Sequence, residues 1–172
     1  QFPVWFLVHR SGCETDVTVD YSSLLRDPQQ PLLKMVIAKI DLDNLSERFA
    51  NNTLHYQSKV SIWSTYIDAF MSLEYLSKNP KINMSKIGIS GMSRGGNISM
   101  MAVEKRIRDA LVSKDLYFAA AQPRSPECGV TGMFRNPQPR KETKIWSVHG
   151  KADNITSYEK CVEWAKKMKA KG

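Results

Sequence analysis

Residues 87–97 read "IGISGMSRGGN". Together with Lys86 this is a short apolar run of strand type, 86–90, that stops at glycine. Gly91, Ser93 and Gly95 then form a Gly-x-Ser-x-Gly pattern, with a helical segment expected from Arg94 onward. Strand, sharp turn and helix in that order would lift the Ser93 hydroxyl clear of a sheet edge. Gly91, Gly95 and Gly96 would remove side chains where the helix returns over the strand. The backbone N–H of Arg94 would lie at a helix N-terminus, aimed where an oxyanion forms when a carbonyl is attacked. Ser93 is therefore a candidate nucleophile, and Arg94 a candidate oxyanion donor. The alternative is a glycine-rich turn with an inert serine.

Apolar runs of strand length recur on either side: "VWFLV" (4–8), "MVIAKI" (35–40), "LYFAAA" (116–121) and "KIWSV" (144–148). They are continuous rather than alternating, as in parallel strands covered on both faces. Between them lie helical patterns. Residues 59–77 place Val60, Trp63, Ile67, Phe70 and Tyr75 at helical spacing and stop before Asn79-Pro80. Residues 94–108 and 157–170 are two more. Residues 122–142 hold four prolines and two glycines and read as an irregular loop. Strands alternating with helices imply a three-layer α/β domain with a mostly parallel sheet. The 172 residues, 42% hydrophobic and 24% charged, suit a single domain over 1–172.

Composition narrows the function classes. No apolar run is long enough to cross a membrane, and "QFPVWFLVHR" reads as a buried strand rather than a leader. The net charge of +8 gathers in "NPQPRKETK" and "EWAKKMKAKG". No aromatic residues alternate with those cations as stacking platforms, so a solvated surface is expected rather than a nucleic-acid site. Cys13, Cys128 and Cys161 show no paired spacing and the histidines are scattered, so no zinc site and no cofactor are expected. Cys128 and Cys161 follow neighbouring strands. They are either a disulfide or two buried thiols, and spacing leaves both open; a disulfide would place the protein in an oxidising compartment.

A nucleophilic serine needs a base, and the base an orienting acid. Asp153, in "IWSVHGKADNIT", follows a later strand and fits the order Ser, Asp, His. Its alternative role is a turn or helix-capping aspartate. Glu127 is the second acid candidate. The three histidines fit the base poorly: His9 and His55 precede the serine and His149 precedes the aspartate. Arg94, Arg124 and Arg135 at strand ends would favour a carboxylate-bearing substrate, unless Arg94 pairs with a structural acid.

The segments "FLVHRSG", "VIAKIDLDN", "SKNPKINMSKIGISGMSRGGN", "FAAAQPRSPECG" and "KIWSVHGKADNITSYEKC" resemble the dienelactone hydrolase family along nearly the whole chain. The resemblance implies an α/β-hydrolase fold lacking N-terminal strands and the C-terminal strand with its histidine loop. It implies Ser93 as nucleophile, Asp153 as acid, and a base histidine beyond residue 172. The family's name-giving enzymes use cysteine where Ser93 stands, which turns the expectation toward a serine hydrolase of small esters or lactones. A glycine is expected after His9 where Arg10 stands, so the second oxyanion donor would be the N–H of Arg10 or Ser11. The competing expectations are a hydrolase-like binding protein without catalysis, and a nucleic-acid-binding module resting on the charge.

Overall fold

The computed structural model describes residues 1–8, 35, 37–42, 45, 48, 60–129 and 136–171. Its core is a sheet of five parallel strands: β1 (Phe2–Val8), β2 (Ala38–Leu42), β3 (Ile82–Met92), β4 (Ala120–Arg124) and β5 (Lys144–Ile145). Four helices accompany them: α1 (Ile62–Ser77), α2 (Arg94–Met101), α3 (Lys105–Leu111) and α4 (Tyr158–Lys171). The strand order is β2-β1-β3-β4-β5. The expectation of an α/β chain with a parallel sheet therefore holds.

Strand register separates two faces. Val4, Phe6 and Val8 lie beside Ile87, Ile89 and Gly91, and Ala121 continues that row on β4. All but the glycine are buried hydrophobic residues of the core. Against this face, Phe118 meets Phe6 and Phe70 edge to face, both at 5.4 Å between ring centres, and Tyr66 meets Phe70 at a tilt, 5.0 Å between ring centres. Such aromatic pairs add to the hydrophobic burial. On the opposite face the Trp5 indole lies over Gly88 and donates to Ser90 Oγ at 2.9 Å. A methyl group on residue 88 would come within 2.2 Å of that ring, so the glycine is what admits the tryptophan.

Several boundaries differ from the sequence reading. α1 turns a different face inward. Tyr66, Ala69, Phe70 and Leu73 are buried, while Trp63, Ile67 and Tyr75 are 43%, 41% and 75% exposed. Large apolar residues, Trp63, Ile67, Met71 and Tyr75, also occupy its exposed side, so periodicity alone does not choose the face. The expected helix over 94–108 is two helices. Buried Glu104 breaks it and caps α3, accepting from the Arg106 N–H and pairing with the Arg106 side chain at 2.8 Å. β2 is displaced toward Leu42 because each residue of Val4–Val8 pairs with one of Ala38–Leu42. Leu116–Phe118 precede β4, whose ladder starts with the Ala119 N–H on the Ile87 carbonyl. β4 runs to Arg124 despite Pro123, which lacks an N–H but accepts from the Val148 N–H at 3.0 Å. No helix among the described residues is long and apolar enough to cross a membrane.

Candidate active site

The strand order reverses direction at β1. The chain passes from β1 to β2 on one side, then returns to β3 on the other. In open parallel sheets a crevice forms at the carboxyl ends of strands at such a switch point. The carboxyl end of β3 is Met92, and the next residue is Ser93.

Ser93 has φ 54° and ψ −115°, a conformation that L-residues rarely adopt. Two backbone bonds hold it there. Its N–H donates to the Arg124 carbonyl at 3.0 Å, and its carbonyl accepts from the Asn97 N–H at 2.9 Å. The flanking glycines are required by close approach. A Cβ on Gly91 would stand 2.5 Å from the Gly95 carbonyl carbon, and one on Gly96 would stand 2.4 Å from the Arg124 oxygen. The bond from Asn97 to Ser93 spans the first turn of α2, so the N–H groups of Arg94, Gly95 and Gly96 precede the helical ladder. They form a donor cluster beside the serine.

The Arg94 side chain turns back from this cluster. Its half-buried guanidinium donates to the Val60 carbonyl at 2.7 Å and to Thr65 Oγ1 at 3.2 Å. Burial holds its pKa below the ordinary arginine value. Among the described residues, then, its hydrogen-bond partners are a carbonyl and a hydroxyl instead of the weighed structural acid. Arg124 is also half-buried, and burial lowers its pKa too. Its carbonyl serves Ser93, and its Nε has no hydrogen-bond partner among the described residues. Arg10, Ser11, Cys13, His9, His55 and Arg135 lie outside the described residues.

From Ser93 the hydrogen bonds step across the strand ends toward Asp153. Ser125, also at positive φ (42°), follows Arg124 and donates its N–H to the Val148 carbonyl at 2.8 Å. The chain then passes through His149-Gly150 to Asp153. The Asp153 carboxylate accepts from the N–H groups of Ile155 (2.9 Å) and Thr156 (3.0 Å) on Oδ1, and from the Thr156 hydroxyl (2.8 Å) on Oδ2. These donors, the Thr156 N–H foremost, lower its pKa to about 2. The side chain thus has the local bonds of a turn aspartate, and it is also fixed and ionised as an orienting acid must be. His149 sits in the same loop, with Nε2 3.3 Å from Thr156 Oγ1 and Nδ1 3.1 Å from the Gly150 carbonyl oxygen. Glu127 is engaged locally: its Oε1 accepts from the Gly129 N–H at 2.9 Å.

Cys128 and Cys161 are bonded, with Cα atoms 5.1 Å apart. The bond joins the loop after β4 to the first turn of α4, directly after the Asp153 loop. That β4 loop is itself tied to α2, because Asn97 Oδ1 accepts the Glu127 N–H at 2.6 Å. Asn97 and Thr156 are the two supporting residues the sequence reading missed. Threonine three residues after an aspartate is a legible capping pattern; Asn97 carries no comparable signal, since its partner is distant in sequence.

No family model matches the sequence, and no curated protein does. Solved structures do. Esterase 2 of Thermogutta terrifontis, phosphoramylated by tabun, matches 100% of this chain and 69% of its own, with TM-score 0.69 and 16% identity. A protein described as a dienelactone hydrolase from Klebsiella pneumoniae matches with TM-score 0.66 and 14% identity, over 99% of this chain and 70% of its own. MGS-M1, an α/β-hydrolase enzyme from a Medee basin deep-sea metagenome, matches with TM-score 0.64 and 17% identity, over 99% and 64%. At these identities the likeness is one of fold: the chain has the α/β-hydrolase fold.

Proposed function

We propose that this protein is a serine hydrolase of small carboxylic esters or lactones. The carrying observation is Ser93 itself, held at φ 54° at the carboxyl end of β3, where the sheet switches direction. A strained residue at such a place is what a raised nucleophile requires. In the proposed reaction the Ser93 oxygen attacks the carbonyl carbon while a histidine accepts its proton. The Arg94 N–H, and one from Arg10 or Ser11, stabilise the tetrahedral oxyanion. The histidine then protonates the leaving alcohol, and water repeats the sequence on the acyl-serine. Asp153, ionised and fixed, orients the histidine. That base is proposed to lie beyond residue 172; the solved esterase spans more chain than this sequence covers. The Cys128–Cys161 bond supports an oxidising compartment.

The test is p-nitrophenyl acetate turnover and fluorophosphonate labelling of the natural full-length protein against Ser93→Ala. Labelling at Ser93 and loss of turnover in the variant are expected. Equal turnover would sink the assignment.

A further inference from the structure

The residue after the nucleophile carries two duties that its neighbours do not share. Its backbone N–H is the proposed oxyanion donor. Its side chain reaches a different element, bonding the Val60 carbonyl (2.7 Å) and Thr65 Oγ1 (3.2 Å) where α1 begins. That anchor is itself well built. Ser61 caps α1 by accepting the Trp63 N–H at 3.1 Å, and Val60 is buried.

The aim of the Arg94 N–H depends on the rotation of the Ser93–Arg94 peptide. At ψ −115° for Ser93 that peptide does not rest in a common backbone well. On one side its own carbonyl, that of Ser93, accepts the Asn97 N–H at 2.9 Å, and the peptide before it is held by the Ser93 N–H bond to Arg124. On the other side the anchor is the Arg94 guanidinium, two of whose contacts lie 34 and 29 residues upstream.

We infer that Arg94 is a positioning residue: its side chain, held by Val60 and Thr65, fixes the Ser93–Arg94 peptide so that the Arg94 N–H stays aimed at the developing oxyanion. This rests on Ser93 being the nucleophile. A side chain turned toward α1 also explains why arginine can stand beside the serine without serving as a substrate contact. Both bonds leave from one guanidinium nitrogen, Nη2, so a lysine ammonium could serve the same two acceptors but from a flexible stem without the planar group's fixed reach, and would restore the anchor only in part.

The experiment measures kcat and KM for p-nitrophenyl acetate in the natural full-length protein and in Arg94→Met, Arg94→Lys, Thr65→Val and Ser93→Ala. An oxyanion donor displaced by about an ångström is expected to lower kcat by on the order of 10- to 100-fold, with KM unchanged. Arg94→Lys should recover part of that loss. Thr65→Val should lower kcat less, and add nothing in the Arg94→Met background, because the two act as one anchor. Added guanidinium should restore turnover to Arg94→Met. If the Arg94 variants do not fold, Thr65→Val carries the test through its own kcat. A wild-type kcat in Arg94→Met, or a raised KM with kcat intact, would overturn the proposal. Should Ser93→Ala turn over at the wild-type rate, the nucleophile reading fails first; Arg94 failing alone leaves that reading standing.

Discussion

Ser93 stores strain that a smaller residue would release. Glycine adopts φ 54° at little cost, whereas serine there carries roughly 1–3 kcal/mol. Ser93→Gly is therefore expected to melt at a higher temperature, by about 1 kcal/mol of stability, while losing turnover and labelling. A lower melting temperature would show that the hydroxyl, and not the backbone, is what the fold accommodates. Asp153 makes a second prediction at this scale. Its folded pKa of about 2 lies below the ordinary aspartate value of 3.8. The stabilisation is then fully present above that ordinary value and is lost as pH falls from about 4 toward 2. Thermal melts across that window should show a steeper acid decline for the natural protein than for Asp153→Asn.

Elements decide whether such residues meet. α2 lies so close to β3 and β4 that no side chain fits at residues 91 and 96. Gly96→Ala would press a methyl group to 2.4 Å from the Arg124 oxygen, the atom that also accepts the Ser93 N–H. We expect that substitution to cost about 1–3 kcal/mol, as overpacking of a close contact does, and to slow fluorophosphonate labelling. Normal labelling in Gly96→Ala would mean that α2 shifts without moving the serine. This junction was legible in the sequence because it is local: an apolar run, three glycines and a serine specify it. The α1 face was not. Phe70 faces the sheet because Phe118, which in turn meets Phe6, receives it, with Tyr66 and Leu73 buried on the same helix, and that pairing joins distant segments. The division of 94–108 was hidden for a similar reason. Glu104 turns inward at a point where the Gln138 N–H, from far along the chain, donates to its Oε2 at 2.9 Å. Asp153 was readable from its place after a strand, but its three donors all come from residues that looked like ordinary loop.

Across the whole molecule, the Cys128–Cys161 bond joins the loop after β4 to the first turn of α4, which follows the Asp153 loop. It closes a loop with a sequence separation of 33, which in the chain-entropy account stabilises the fold by about 3–4 kcal/mol. The pair Cys128→Ser and Cys161→Ser should lower the denaturant midpoint accordingly. The reduced natural protein should match that double variant. Identical midpoints for oxidised and reduced protein would remove the bond from the account of stability. The strand order makes this connection matter, because β4 and β5 hold adjacent places beyond β3 and their end loops are separate pieces of chain.

The same closed loop has a consequence for the chain when it is cut. Asp153 and Ser93 fall on opposite sides of any break between Cys128 and Asp153, yet both sides stay covalently joined through sulfur. A protease nick there should leave a protein that migrates as one species without reductant and as two with it. Ser93 and Asp153 would then be carried on different fragments joined only by that bond.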